Sequence, residues 1–229
     1  MTALLRLFFA VLMGALFITG IFYFVASILS SIAFNPASKA WKELLAKLRI
    51  RLNKRTQFNA TGIPQMLTPC NAETLSHLSL HPKIVKKAGW RDGTFEGVFS
   101  TIYQEPVLIY AGQKNGKIAA IVARTSDKEF VFRQKGKETE IWENGQPYGI
   151  FVDGALLSTG KQSRLLAKLE TDTELRQWPV LLGQGEGAML TNGARVVSPI
   201  PRALTLLRDL TPEEEQALLL LTVVQAFQP

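Results

Sequence analysis

The 229-residue chain has one cysteine, Cys70, and two histidines, His77 and His81. A lone cysteine excludes an internal disulfide framework and fits a reducing compartment. These three side chains are too few for a conventional structural zinc site. Cys70, Glu73, His77 and His81 are helix-compatible in spacing, but Pro69 and Pro82 disfavour one helix through all four. No metal and no other cofactor is expected. A G-x-S-x-G elbow for a nucleophilic serine is also missing. In GALLSTGKQS, residues 154–163, five residues instead of four separate the glycines, and Gln162 follows the lysine. That loop lacks the spacing and the hydroxyl that would cradle a phosphate and its Mg²⁺. GQGEG at 183–187 has no helix start behind it and reads as a loop. The chain therefore reads as non-catalytic.

Acidic residues are nearly absent from the N-terminal quarter. Residues 1–55 hold eight of the 26 Lys and Arg but one of the 19 acids, and residues 56–229 hold 18 of each sign. The net charge of +7 thus sits beside an apolar segment, where a membrane is the expected partner. No basic stripe is interleaved with aromatics elsewhere, so nucleic acid is not expected.

Charge of either sign is absent from Leu7 to Phe34, LFFAVLMGALFITGIFYFVASILSSIAF. The run exceeds the roughly 20 residues that cross a bilayer. It is also longer than the apolar core, about 7–15 residues, of a cleaved signal peptide. Residues 1–34 are expected to be a transmembrane anchor in the cell membrane. Arg6 alone precedes the run, whereas seven Lys and Arg follow it against Glu43. The positive flank stays inside, which puts the N-terminus outside and the domain in the cytoplasm. Ala10 and Gly14 could let two spans approach, a spacing common by chance.

Residues 35–55 read as a basic amphipathic juxtamembrane helix, with Asn35-Pro36 as its cap. Trp41, Leu44, Leu45, Leu48 and Leu52 recur at helical spacing among cations. The expectation is a helix in the headgroup region, with Trp41 as interfacial anchor. Lys39, Lys42, Lys47, Arg49, Arg51, Lys54 and Arg55 would meet anionic phospholipid. The competing reading is a stalk helix that packs its leucines on the domain.

Residues 56–92 form a connector with a short helix over Asn71–Leu80, capped by Asn71. From residue 93 onward, short apolar segments alternate with turn residues: TFEGVFSTIY, PVLIYAG, KIAAIVAR, EFVFRQ, TEIWE, QPYGIFVDG and so on to ARVVSPI. Spacing of about 8–12 residues argues for antiparallel strands in a sandwich or barrel. Asn144-Gly145 is the strongest hairpin signal. Trp90, Trp142, Trp178, Tyr103, Tyr110 and Tyr148 read as packing or turn anchors.

The chain closes on TPEEEQALLLLTVVQAFQP. Thr211 and Glu214 make a capping box around Pro212 at the first helical position. From Ala217 to Phe227 the helix has no polar face and must be covered on every side. One sheet covers one side only. The fold expected is mainly β: a closed antiparallel barrel over residues 93–229 wrapped round a buried hydrophobic C-terminal helix, preceded by the N-terminal transmembrane helix.

The stretches EIWENGQPYGIFVDG, ALLSTGKQSRLLAKLE and LTPEEEQALLLLTVVQAF resemble, in pattern and order over residues 93–227, the tubby C-terminal domain, the phospholipid scramblases and the plant LURP-one-related proteins. The resemblance implies a barrel of about twelve strands round a C-terminal helix. Two features depart from it. Scramblases carry their membrane segment near the C-terminus, and the tubby phosphoinositide-binding Lys and Arg have no residue-by-residue counterpart here. The function expected is a membrane-held binding or scaffold module, with anionic phospholipid on residues 39–55 and a protein partner on the barrel exterior. The alternatives are a scramblase-like lipid-handling protein and a structural subunit of a larger membrane complex.

Overall fold

Among the described residues of the computed structural model, twelve strands follow one another in the order in which the chain makes them. They are β1 (Lys83–Lys86), β2 (Thr94–Ser100), β3 (Pro106–Asn115), β4 (Ile118–Arg124), β5 (Glu129–Lys135) and β6 (Glu138–Glu143). Then come β7 (Gln146–Val152), β8 (Ala155–Ser158), β9 (Leu165–Leu169), β10 (Gln177–Leu182), β11 (Gly185–Thr191) and β12 (Leu204–Leu206). Every neighbour pair is antiparallel. The helices are α1 (Lys39–Gln57), α2 (Ala72–Ser76) and α3 (Pro212–Phe227). The structure describes residue 13 and residues 34–57, 66–87, 93–160, 163–172, 174–183, 185–196 and 198–227. The chain divides into two units, Met1–Leu44 and Leu45–Pro229.

Of the first unit, the apolar run and the Ala10/Gly14 pair lie outside the described residues, apart from Met13 and Phe34. Among the described residues no helix is long and apolar enough to cross a membrane. The start of α1 is three residues later than the sequence suggested. Asn35 makes a turn, accepting from the Ala37 amide at 3.1 Å. Ser38 is the cap, its hydroxyl accepting from the Trp41 amide at 3.0 Å.

In the larger unit, period-two alternation sets the core. On β5, Phe130, Phe132 and Gln134 point inward and are buried, while Arg133 and Lys135 point outward. Two inward glycines make room for rings across the strand pair. Gly97 faces Tyr110 and Gly112 faces Phe95 in register, and an added Cβ would fall 2.3 Å from the Tyr110 hydroxyl at Gly97 and 2.3 Å from the Phe95 ring at Gly112. The hairpin at Asn144-Gly145 has φ of 48° and 82°, the two positive values a type I′ turn requires.

The interior is filled by α3. Ala217 to Val224 are eight consecutive residues no more than 5% exposed, so no side of this stretch faces water. The Thr222 hydroxyl, the polar group among them, donates to the Leu218 carbonyl at 2.8 Å. At the far end the Phe227 ring meets Phe95 and Phe99 of β2, Tyr110 of β3 and Phe132 of β5, at centroid distances of 4.9–6.4 Å. At the near end the capping box forms as expected. The Thr211 amide donates to Glu214 Oε2 at 3.0 Å, and the Glu214 amide donates to Thr211 Oγ1 at 3.3 Å.

The sheet does not close, which corrects the expected barrel. β1 and β12, its two ends, share no ladder. Between them runs the segment after α2, which is shorter than the expected Asn71–Leu80 helix. Leu78 bridges Thr101 beyond β2, and Ser79 bridges Arg202 ahead of β12. Amide-to-carbonyl bonds run from Ser79 to Ser100 (2.9 Å), Leu80 to Pro201 (2.9 Å) and Ala203 to Leu78 (2.7 Å). A continuous ladder is not needed to bury the helix, because Leu75 and Leu78, both fully buried in the same core, cover what the open sheet leaves.

Candidate functional site

The residues assigned to lipid contact separate into two groups once α1 is seen in place. Within the larger unit, Leu45, Leu48 and Leu52 are buried, which is the stalk-like arrangement. Arg49 Nε donates to Glu129 Oε1 at 2.8 Å. Arg124 Nε and Nη2 hold the other oxygen of Glu129 at 3.0 and 2.8 Å. Arg124 Nη1 also reaches Asn53 Oδ1 at 2.5 Å. Burial alone would raise the Glu129 carboxyl, but hydrogen bonds from Arg124 and Arg49 outweigh it and hold it below the usual range. Arg49 and Asn53 therefore meet the outer side of β4 and β5, where the outward Ala120, Val122 and Val131 are buried.

Arg49 thus pairs with the Glu129 carboxylate. Arg51 is half-buried, with one guanidinium nitrogen enclosed and unpartnered. Lys39, Lys42, Lys47 and Lys54 are exposed. Lys39 approaches Glu43 at 3.8 Å, but both side chains are mostly in water, where such a pair contributes little. The Arg55 side chain lies outside the described residues. Trp41 is 5% exposed, with its ring 6.4 Å from that of Phe34.

A second polar cluster surrounds the start of α3. Arg208 Nη2 and Nη1 grip Glu214 at 2.5 and 3.0 Å. The hydrogen bond to Arg208 is the main cause that lowers the Glu214 carboxyl to about 2. Glu215 accepts from the Ala72 amide at 2.9 Å. Gln216 donates to Glu143 at 2.9 Å and accepts from Lys128, which also pairs with Glu143 at 3.1 Å. These bonds fix the side chains of the first turn of α3. A hollow of about 140 Å³ beside them is lined by Cys70, Asp127 and Glu215 among others. Burial, and then the charges of Glu215 and Asp127, push the Cys70 thiol up to about 12. A thiol held neutral is not an activated nucleophile.

His77 follows α2 and lies 5.3 Å from the Tyr103 ring. Among the described residues no three His, Cys, Asp or Glu converge on a metal position. Trp178 anchors a turn by donating to the Asp172 carbonyl at 2.6 Å. Trp90 lies outside the described residues.

The sequence reading missed a cleft of about 590 Å³ on the outer side of β10–β12, lined by Arg176, Arg195 and Arg202 among others. Its three arginines are spread over residues 176–202 together with one acid, Glu186, so no local charge run marks the cleft in the sequence. Comparison of the chain with known protein families, with curated proteins and with solved structures finds no match.

Proposed function

We propose that the chain is a non-catalytic binding module tethered to a membrane by residues 1–34, with its domain in the cytoplasm. The observation that carries this reading is the division of labour on α1. Its leucines and Arg49 are taken up by protein, while Lys39, Lys42, Lys47 and Lys54 stay exposed. Lysines left in water directly after an uncharged run of spanning length are the composition of an electrostatic membrane contact. With α3 filling the interior, no lumen is left for a carried ligand, so binding belongs to the outer surface. A tubby-like relationship is part of this proposal. It is supported by twelve sequential antiparallel strands and a C-terminal helix buried on all sides.

The test is vesicle flotation of residues 36–229, which retains α1, against the variant with Lys39, Lys42, Lys47 and Lys54 all changed to Gln. At about 1 kcal/mol per lysine, binding to phosphatidylserine vesicles at low salt should fall by up to about a thousandfold. Phosphatidylcholine vesicles should bind neither form. Equal flotation of the two forms on anionic vesicles would remove the lysines from any membrane role.

A further inference from the structure

We propose that the cleft on the outer side of β10–β12 is a binding site for a phosphomonoester. The proposal concerns different residues from α1 and does not rest on the membrane reading. Arg176 immediately precedes β10, Arg195 ends the short helical turn Gly193–Arg195, and Arg202 lies two residues before β12. All three are exposed and line the cleft together.

Their backbones are held in place before any ligand arrives. Asn192, 4% exposed, accepts from the Ala194 amide at 3.1 Å and donates to the Leu175 carbonyl at 2.9 Å through its side chain. Its own amide donates to the Arg176 carbonyl at 2.9 Å. One buried side chain therefore ties the turn carrying Arg195 to the strand start carrying Arg176. Arg202 is fixed by its bridge to Ser79. The floor is polar, with Gln177 donating to the Thr205 hydroxyl at 3.2 Å and Thr191 beside them.

The charge is unspent. Among the described residues no acidic side chain pairs with Arg176 or Arg202. Arg195 touches Glu174 at 3.3 Å, but the two side chains are 43% and 81% exposed, a pair that a stronger anion displaces. Three guanidinium forks with hydroxyls beneath them suit a dianion with several acceptor oxygens better than a single carboxylate. Ile102 and Ile200, the latter 54% exposed, line the same cleft and offer contact to the organic part of an ester. The volume suits a small ligand.

The experiment uses the full chain in phosphatidylcholine nanodiscs, titrated calorimetrically with glycerol 3-phosphate and, separately, with dihexanoyl phosphatidic acid. Both carry the same phosphomonoester. Tighter binding of the acylated probe identifies a lipid source, and equal binding identifies a free phosphate ester. In either case Arg176→Gln with Arg202→Gln should weaken binding by about tenfold or more, as loss of charged hydrogen bonds requires. Arg202→Lys alone, which keeps the charge but loses the fork, should fall between. Wild-type protein that binds neither probe, or a double variant that binds as tightly as wild type, overturns the site.

Discussion

Replacing Leu220 with Asp tests whether α3 is enclosed by protein. Leu220 is 0% exposed and its neighbours Leu219 and Leu221 are buried too, so a carboxyl there has no route to water. Removing the leucine side chain costs about 2–5 kcal/mol by comparison with Leu→Ala changes in other cores. Burying a neutral acid without a partner adds about 1–3 kcal/mol. Ionisation adds a third cost with a ceiling, because the folded state takes up a proton instead of holding a bare charge. Protonating a group of ordinary pKa near 3.9 at about pH 7 costs roughly 4 kcal/mol, at 1.36 kcal/mol per unit. The sum, about 7–12 kcal/mol, is comparable with the whole stability of a domain, about 5–15 kcal/mol.

The assay is urea unfolding of the detergent-solubilised chain followed by near-ultraviolet circular dichroism. Leu220→Ala and Ala226→Asp serve as controls, since Ala226 is exposed on the same helix. Leu220→Asp should be largely unfolded at neutral pH, and Ala226→Asp should lie within about 0.5 kcal/mol of wild type. The introduced carboxyl has its folded pKa raised, so its penalty is complete above that value and disappears below about pH 4. The gap between Leu220→Asp and Leu220→Ala should therefore narrow by about 4 kcal/mol on acidification. A Leu220→Asp protein as stable as Ala226→Asp, with no pH dependence, would show that the helix is not enclosed.

Two further outcomes follow from the charged and thiol groups. Glu129→Gln should loosen α1 from the sheet by about 1–2 kcal/mol, a charged hydrogen-bond loss discounted for the exposure of Arg49. Amide exchange over residues 45–57 should then quicken by roughly tenfold. Because the Glu129 carboxyl is held below its ordinary range, wild-type α1 should keep this contribution above the unfolded pKa and lose it as pH falls through the folded one. Unchanged exchange would show that the Glu129 contacts do not fasten the helix. Cys70, its thiol pushed up to about 12, should alkylate near pH 8 on the order of a thousandfold more slowly than an unfolded cysteine. Comparable rates in native and urea-unfolded protein would refute the enclosure of that hollow.

The features legible in the sequence are those whose physics is local. The capping box at Thr211 and Glu214, the type I′ turn at Asn144-Gly145 and most of the strands are set by neighbours within a few residues, as observed. The need to cover α3 on every side also follows from its composition alone. Weak or misleading local signals account for the strand errors. β1 is four residues with an exposed, non-alternating pattern, and β12 is three residues long. ARVVSPI looked like a strand, but the Asn192 side chain captures the Ala194 amide and starts a tight turn there.

What tertiary structure decided were the partners of surfaces that local pattern leaves open. A leucine stripe is equally satisfied by acyl chains or by protein, and here Leu45, Leu48 and Leu52 are buried on the helix whose Arg49 meets Glu129, 80 residues away. The cleft of Arg176, Arg195 and Arg202 exists because antiparallel pairing and a buried asparagine bring distant cations to one face. The sequence alone determined that the terminal helix had to be buried. That an unclosed sheet and the stitch at Leu78-Ser79 would do it was decided by the tertiary structure, because core burial depends on which side chains meet and not on a complete hydrogen-bonded ladder.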